Sequence, residues 1–242
     1  MRNKCIGIMN LLFFVVTSAG AEAFSTTNVQ YLYGNSFGEI AGDSISDGRM
    51  DTITFEHFGT WAYGSNFYFI DLMSAHFDSG KNSTLYMEYD PAFSLSKISG
   101  KELSWGIVKD IRLSAQINQG DDFRALMAGG GIEFDIPGMQ LLSLDLYSRK
   151  DNFNKQTFQA TAVWYTDFRW GAKWIFEGFL DFYGVDGGRV LLTQPRLTVD
   201  LSFIDSHLTS LQAGVELYVY GNYGTPRSFT ESVPQLMATW VW

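Results

Sequence analysis

The sequence predicts an all-β protein, a transmembrane antiparallel up-and-down β-barrel of about twelve strands. Hydrophobic residues alternate with polar ones in segments of roughly ten residues, as strands of a membrane barrel do. Aromatic residues make up 16% of the chain, which has 24 Gly but only 5 Pro. After Val16, no apolar run is long enough to form a membrane-spanning helix.

The first residues predict export. Arg2 and Lys4 precede an apolar run over 6–16, which is too short to span a bilayer and is followed by small residues. Two Ala-x-Ala patterns end at Ala21 and Ala23. We therefore expect a cleaved signal peptide over 1–23 and a barrel over 24–242. Cleavage after Ala23 is preferred, and cleavage after Ala21 is the alternative.

Charge and cysteine content exclude several classes of function. Cys5 is the single cysteine and belongs to the signal peptide, so the mature chain has no disulfide, thiol nucleophile or thiolate metal ligand. The net charge of −9 becomes about −10 after cleavage. A charge of this sign argues against a nucleic-acid partner and against a porin built for anions.

The strands follow from alternation and from the turn residues between them. Four segments alternate clearly: 110–118, 142–149, 194–201 and 211–220. Less regular strands are expected at 25–33, 50–58, 66–74, 84–97, 123–134, 157–165, 171–183 and 234–242. Pro91 could divide 84–97, but an even number is preferred because it places both termini on the periplasmic side. The connections 34–48 and 221–232 are predicted to be long, and Pro137-Gly138 to form a tight turn.

Closure of the sheet follows from the membrane, because an open edge in hydrocarbon would leave unpaired amides. In the last segment Leu236, Ala238, Trp240 and Trp242 share one face, and the terminal aromatic predicts recognition by the outer-membrane assembly machinery. Other aromatics cluster near segment ends, which predicts aromatic girdles. These clusters are Tyr31 and Tyr33, 67–69, Trp164 and Tyr165, Trp170 and Trp174, and 218–223. The alternative is a soluble β-sandwich or a secreted barrel.

Alternation also predicts which side chains face the lumen. Tyr86, Glu88 and Asp90 share one face, and a carboxylate facing lipid near the midplane is costly, so this face should point inward. The same reasoning applies to Asp110, Arg112, Asp145, Tyr147, Arg149, Glu177, Asp181, Arg196, Asp200 and Glu216. A nucleoside would suit such a lumen, since its base stacks on aromatic rings and its hydroxyls bond to charged groups. The alternative is that these charges only hydrate and brace the wall.

No catalytic or cofactor site is expected. His57, His76 and His207 do not have metal-ligand spacing, and no phosphate loop or dinucleotide fingerprint is present. We therefore predict that the protein is not an enzyme and holds neither a metal nor a cofactor.

Two stretches resemble the Tsx-like family of nucleoside-specific channel-forming outer-membrane proteins, which includes the OmpK porins. The most specific is Leu-Tyr-Met-Glu-Tyr-Asp-Pro-Ala-Phe-Ser-Leu-Ser-Lys at 85–97, and the second is Leu-Ser-Trp-Gly-Ile-Val-Lys-Asp at 103–110. The chain departs from the family pattern at Ala92, where the family often has Arg, and at Ser96, where some members have an acid. The resemblance implies a narrow, monomeric, twelve-stranded channel through which nucleosides diffuse passively. It also nominates Phe37, in the loop after the first strand, as a stacking ring.

The sequence thus predicts a Gram-negative outer-membrane channel for nucleosides or similar small solutes. The substrate-binding residues are predicted to be Phe37, Tyr86, Glu88, Asp90, Arg112, Asp145, Tyr147 and Asp181. The alternatives are a general or cation-leaning porin, and a plugged structural barrel that acts as an adhesin or phage receptor. The predicted partners are the solute, the lipid bilayer and the assembly machinery through Trp242, with phage as a further partner implied by the resemblance.

Overall fold

One antiparallel sheet closes on itself to form the barrel. The computed structural model describes residues 24–40 and 42–242, so the predicted signal peptide over 1–23 lies outside the described residues. The wall has twelve strands. They are β1 (Ser25–Gly34), β2 (Asp43–Trp61), β3 (Gly64–Phe77), β4 (Ser83–Ser94), β5 (Val108–Gly120), β6 (Arg124–Phe134), β7 (Leu141–Asp151), β8 (Thr157–Trp170), β9 (Ala172–Val185), β10 (Gly188–Thr193 and Arg196–Asp200), β11 (Leu211–Tyr223) and β12 (Phe229–Val241).

Four short elements lie outside the wall strands. A two-residue strand, Glu39–Ile40, pairs with the start of β2. Helix α1 (Leu95–Ser99) follows β4 and begins where the Ser94 side chain accepts a hydrogen bond from the Lys97 amide. Two 3₁₀ turns, Leu201–Phe203 and Ser206–Leu208, connect β10 to β11. In the part of the chain that the structure describes, no helix is long and apolar enough to cross a membrane.

The first and last strands close the barrel. β1 pairs with β12 from Asn28↔Val241 to Gly34↔Gln235, and its other edge pairs with β2. Every strand of the wall therefore has two hydrogen-bonded neighbours, as a membrane requires. The predicted class and strand number are confirmed. We call the end that holds Ser25 and Val241 the terminal end, and the opposite end the distal end.

Three predicted boundaries were wrong. The strand predicted over 84–97 ends at Ser94, because the Ser94 side chain caps a helix there. The segment 194–201 is only part of β10, whose first half spans Gly188–Thr193. The long loop predicted at 221–232 is short, because β11 continues to Tyr223 and β12 begins at Phe229.

The two faces of the wall differ in chemistry. Leu113, Leu146, Leu236 and Trp240 project outward, and each is more than half exposed. The side chains between them on the same strands point inward and are largely polar and buried. An apolar exterior around a polar interior is the reverse of a soluble protein and is typical of a membrane barrel.

The prediction that 67–69 and 218–223 form parts of a girdle was wrong for four of their rings. Phe67 and Phe69 share the inner face of β3 with Asp71, and Tyr218 and Tyr220 share the inner face of β11 with Glu216. Side chains two residues apart on a strand point to the same face, so rings at even spacings from these inward acids face the lumen.

Candidate functional site

Five aromatic rings form a continuous ladder along the inner wall, from the distal rim into the barrel. We call Phe153, Phe123, Tyr86, Phe69 and Phe67 the aromatic ladder. Successive ring centroids are 6.3, 6.4, 6.0 and 6.0 Å apart. These spacings lie within the range of favourable aromatic contact, so the rings support one another.

Each rung on β3 and β4 lies beside a carboxylate. In the register of these two strands Tyr86 is opposite Asp71, Phe69 is opposite Glu88, and Phe67 is opposite Asp90. Directly opposed residues on one face are near enough to contact the same ligand. This wall therefore presents ring faces and acceptor oxygens side by side along the lumen.

Glu88 is held by donors from three side chains. The Tyr86 hydroxyl donates to its Oε1, as does Asn118 Nδ2 at 2.7 Å, and Gln116 Nε2 donates to Oε2 at 2.7 Å. The carboxylate is only 7% exposed. Its position is therefore fixed, as expected of a buried charge held by hydrogen bonds.

A chain of hydrogen bonds connects Glu88 across the lumen to Asp181 on β9. Gln159 Nε2 on β8 lies 3.2 Å from Gln116 Oε1 and 3.0 Å from Thr161 Oγ1. Thr161 then donates to Asp181 Oδ1 at 2.6 Å. The structure thus brings together three predicted site residues, Tyr86, Glu88 and Asp181, through side chains that the alternation alone did not single out.

The Arg149 side chain lies beside this series of hydrogen bonds. Its guanidinium donates to Gln159 Oε1 at 2.7 Å and to Asp151 Oδ2 at 3.3 Å. It lies 4.3 Å from the ring centroid of Tyr183 and 5.7 Å from that of Phe123. The charge therefore faces both an acid and two π-systems, which fixes its plane.

Arg112 and Asp145, also predicted site residues, form an ion pair that passes over β6. Arg112 Nε donates to Asp145 Oδ1 at 3.1 Å, and its Nη2 bonds to Oδ2. The strand between them carries Gly131 at the matching position, where a Cβ would collide with Asp145 Oδ1 and the Leu144 carbonyl. Glycine is required there because the pair occupies the space of a side chain.

A second ion pair crosses the lumen. Arg196 Nε on β10 donates to Glu216 Oε2 on β11 at 2.6 Å, while its Nη1 donates to Glu56 Oε2 on β2 at 2.8 Å. Asn28 and Gln235 donate to the remaining oxygens of the two acids at 2.9 and 2.8 Å. This bridge fills the part of the cross-section next to β11, β12 and β1.

Two predicted site residues lie in apolar surroundings. Phe37 is 2% exposed and packs at the distal end with Ile40, Met50 and Val233, and its ring centroid is 5.5 Å from that of Tyr218. Tyr147 packs against Ala125 and Met127. The Phe37 ring packs the loop after β1 against Met50 of β2 and Val233 of β12, so almost none of its surface is free to contact a solute.

Side chains fill the lumen on both sides. Gln30, Glu216 and Thr198 near the Arg196 bridge are each 1% exposed, and Gln159, Gln116 and Asn118 near the aromatic ladder are at most 3% exposed. Little of the cross-section is therefore left open.

Several residues of the site were not predicted from the sequence. The inward orientation of Phe67 and Phe69 was not recognised, because the run Phe67-Tyr68-Phe69 has aromatic rings on both faces of the strand. Asp71 could have revealed it, since it lies on the same face as these two rings and a carboxylate facing lipid there is costly. Glu56, Gln116 and Gln159 were not predicted as site residues, because their hydrogen-bond partners lie on distant strands. Among the described residues no group of three His, Cys, Asp or Glu has a metal-binding arrangement.

Comparison with known proteins places the chain in a family. Residues 26–242 match the family described as "Domain of unknown function (DUF5020)". The chain belongs to this family. A distant relative of this DUF5020 chain is the "Outer membrane protein OmpK" of Vibrio parahaemolyticus, which is 23% identical over 166 residues, or 64% of this chain. The matched region spans 62% of that relative's length.

A solved structure shows the same fold. The KdgM porin, in complex with disordered oligogalacturonate, is 7% identical and has a TM-score of 0.50, covering 89% of this chain and 98% of the porin. A second structure of the KdgM porin gives the same values. The resemblance to the OmpK proteins is confirmed at the level of a distant relative, and the barrel fold is shared with a porin.

Proposed function

We propose that this protein is an outer-membrane channel for the passive, selective diffusion of nucleosides or similar small solutes. The observation that carries the proposal is the aromatic ladder, whose rungs on β3 and β4 each lie opposite a carboxylate. A planar base can stack on the rings while sugar hydroxyls donate to the acids. Several weak contacts in series allow a solute to move on, where one tight site would hold it.

Three further findings support a channel in the outer membrane. The closed barrel has an apolar exterior and a polar interior, the fold is shared with the KdgM porin, and the relative from Vibrio parahaemolyticus is named an outer membrane protein. The side chains that fill the lumen argue against a wide general pore, because little of the cross-section is open.

A plugged structural barrel is the second candidate, and the buried polar network favours it. Gln159 and Glu216 have almost no exposed surface, and Phe37 packs the loop after β1 against β2 and β12. In such a barrel the network would serve stability, and the outer loops would carry any binding of partners, including phage.

The test is single-channel recording with the refolded protein in planar bilayers, combined with liposome uptake of adenosine, thymidine, a nucleotide and a sugar of similar size. We expect a small current that adenosine reduces, and nucleoside uptake well above that of the sugar. Phe69→Leu removes a rung and should weaken the block by adenosine. Phe176→Leu is the matched control. Phe176 lies on the outer face of β9 and packs against Trp164, so the same substitution there leaves the lumen unchanged.

Two results would contradict the proposal. Equal uptake of all solutes would demote the protein to a general pore. A barrel that folds but carries no current and no solute would favour the plugged structure.

A further inference from the structure

Acids outnumber bases on the inner wall, several of them form no ion pair with another described residue, and four of these unpaired acids lie near one another. These are Asp71, Glu88, Asp90 and Asp181, which we call the carboxylate cluster. The three inward arginines are engaged elsewhere: Arg112 with Asp145, Arg149 with Asp151, and Arg196 with Glu56 and Glu216. No arginine or lysine among the described residues therefore lies within ion-pair distance of the cluster.

The carboxylate cluster is one connected feature. Glu88 is two residues from Asp90 on the inner face of β4, and the chain through Gln116, Gln159 and Thr161 connects it to Asp181. Asp71 lies opposite Tyr86 on β3 and is therefore a diagonal neighbour of Glu88 on the same face. Carboxylates held this close attract a cation into the space between them.

Unsatisfied acceptor atoms provide an independent observation. Asp90 Oδ1 is buried and has no hydrogen-bond partner among the described residues, and the same is true of Asn118 Oδ1. Asn118 is 3% exposed, and its amide nitrogen already donates to Glu88, so its free oxygen lies at the cluster. A buried acceptor without a donor is costly, and a ligand rich in N–H groups would satisfy it.

The aromatic ladder completes the recognition of a cation. Phe67, Phe69 and Tyr86 are the register partners of Asp90, Glu88 and Asp71, so each carboxylate has a ring beside it. Ring faces attract ammonium groups, and carboxylates accept their hydrogen bonds. Rings and acids in this arrangement favour a positive charge attached to a flat or apolar body.

From these observations we infer that the lumen prefers solutes carrying a protonated amine, and that the carboxylate cluster with its neighbouring rings is where the amine binds. The inference deepens the proposed function and rests on it for the solute to pass through the barrel. Binding itself is separate from passage and can be measured on the folded protein in detergent.

The experiment compares three probes with the same base: adenosine, 5′-amino-5′-deoxyadenosine, which is a cation at neutral pH, and adenosine monophosphate, which is an anion. Equilibrium dialysis against the refolded full-length barrel gives their affinities. We expect the amine to bind about tenfold more tightly than adenosine, as one partly screened unit-charge interaction provides, and the monophosphate more weakly than both.

The variants isolate the charge. Asp90→Asn is the first, because Asp90 makes no hydrogen bond with a described residue and its loss should not disturb the fold; Asp90→Asn/Asp181→Asn is the second. Both should reduce the preference for the amine over adenosine. Asp122→Asn is the control, since it makes the same charge change in a distal turn where the side chain is 91% exposed.

Equal affinities for amine and adenosine, or a preference for the monophosphate, would overturn the inference and leave the channel standing if bilayer current is present. A preference that survives in both lumen variants would also overturn it. An amine preference that is lost only in the lumen variants supports the inference, whether or not the barrel carries current. Absence of current would refute the channel and not the binding site.

Discussion

Arg196 and Glu56 are 140 residues apart in sequence, yet the guanidinium of one donates to the carboxylate of the other at 2.8 Å across the barrel lumen. Their strands, β10 and β2, have β11, β12 and β1 between them on the near side of the wall. The bridge therefore braces the barrel internally, in addition to the backbone hydrogen bonds of the sheet.

Removal of this brace should destabilise the barrel. Arg196→Met keeps most of the side-chain volume but leaves Glu56 and Glu216 without their cation. We expect a loss of about 3 kcal/mol in the free energy of unfolding, the order of magnitude for breaking a buried ion pair. Urea unfolding in detergent micelles measures it. Arg189→Met, at an exposed position near the distal end, is the control. A loss no larger than that of the control would show that the bridge does not contribute to stability.

Gly131→Ala should disrupt the Arg112–Asp145 ion pair. The added Cβ would collide with the Asp145 carboxylate and with the rigid Leu144 carbonyl, so both the pair and the local pairing of β6 with β7 must shift. We expect a destabilisation of about 2 kcal/mol, within the range for overpacked sites. Gly120→Ala is the comparison, since its Cβ would meet no atom closer than 3.5 Å. Similar unfolding midpoints for the two variants would contradict the prediction.

Phe37→Ala should loosen the distal loop. The ring lies in an apolar cluster, and the loop also depends on hydrogen bonds from the Phe37 amide to the Gly48 carbonyl and from the Gly38 amide to Glu231. Loss of the ring should raise single-channel conductance and speed amide exchange over 35–48, with little change in global stability. Phe203→Ala, exposed at the terminal end, should change neither. Unchanged exchange in the loop would show that the ring does not fasten it.

Asp121, in the distal turn between β5 and β6, should titrate below the ordinary range. Partial desolvation alone would raise its pKa, but hydrogen bonds from Thr84 and Lys81 outweigh that effect and lower the pKa. A lowered pKa means that its small stabilising effect is present above the unfolded pKa and fades as the pH falls through the folded one. Carboxyl NMR should show the pKa of Asp121 rising in Thr84→Ala; an unchanged value would assign the shift to other contacts.

The sequence was informative wherever charges marked the phase of a strand. Asp145 and Arg149 identify the inner face of β7, and Glu216 does so for β11, because a charge facing lipid is excluded. On β3 the rings occupy both faces, so alternation alone could not separate lumen from lipid. The helix after β4 was missed because Leu95-Ser96-Lys97 continues the alternating pattern, although Ser94 is a good helix cap.

Contacts between side chains across the lumen could not be predicted from the sequence, for a different reason. Which inner side chains meet depends on the strand order around the wall and on their height in the barrel. The pair Arg112 and Asp145 was predicted to face inward, but its contact across β6 required Gly131 to be recognised as the position between them. The same holds for Gln159, whose role follows only from the positions of Gln116 and Thr161.

The side chains that fill the lumen affect how pore size relates to strand number. Twelve strands fix the circumference of the wall, and barrel diameter grows with their number. Here, however, the Arg196 bridge, the Arg112–Asp145 pair and their amide neighbours occupy the lumen, so the path left for a solute is narrower than the circumference implies. Any ionic current would therefore be governed by these side chains, and single substitutions could widen or narrow the path without adding or removing a hairpin.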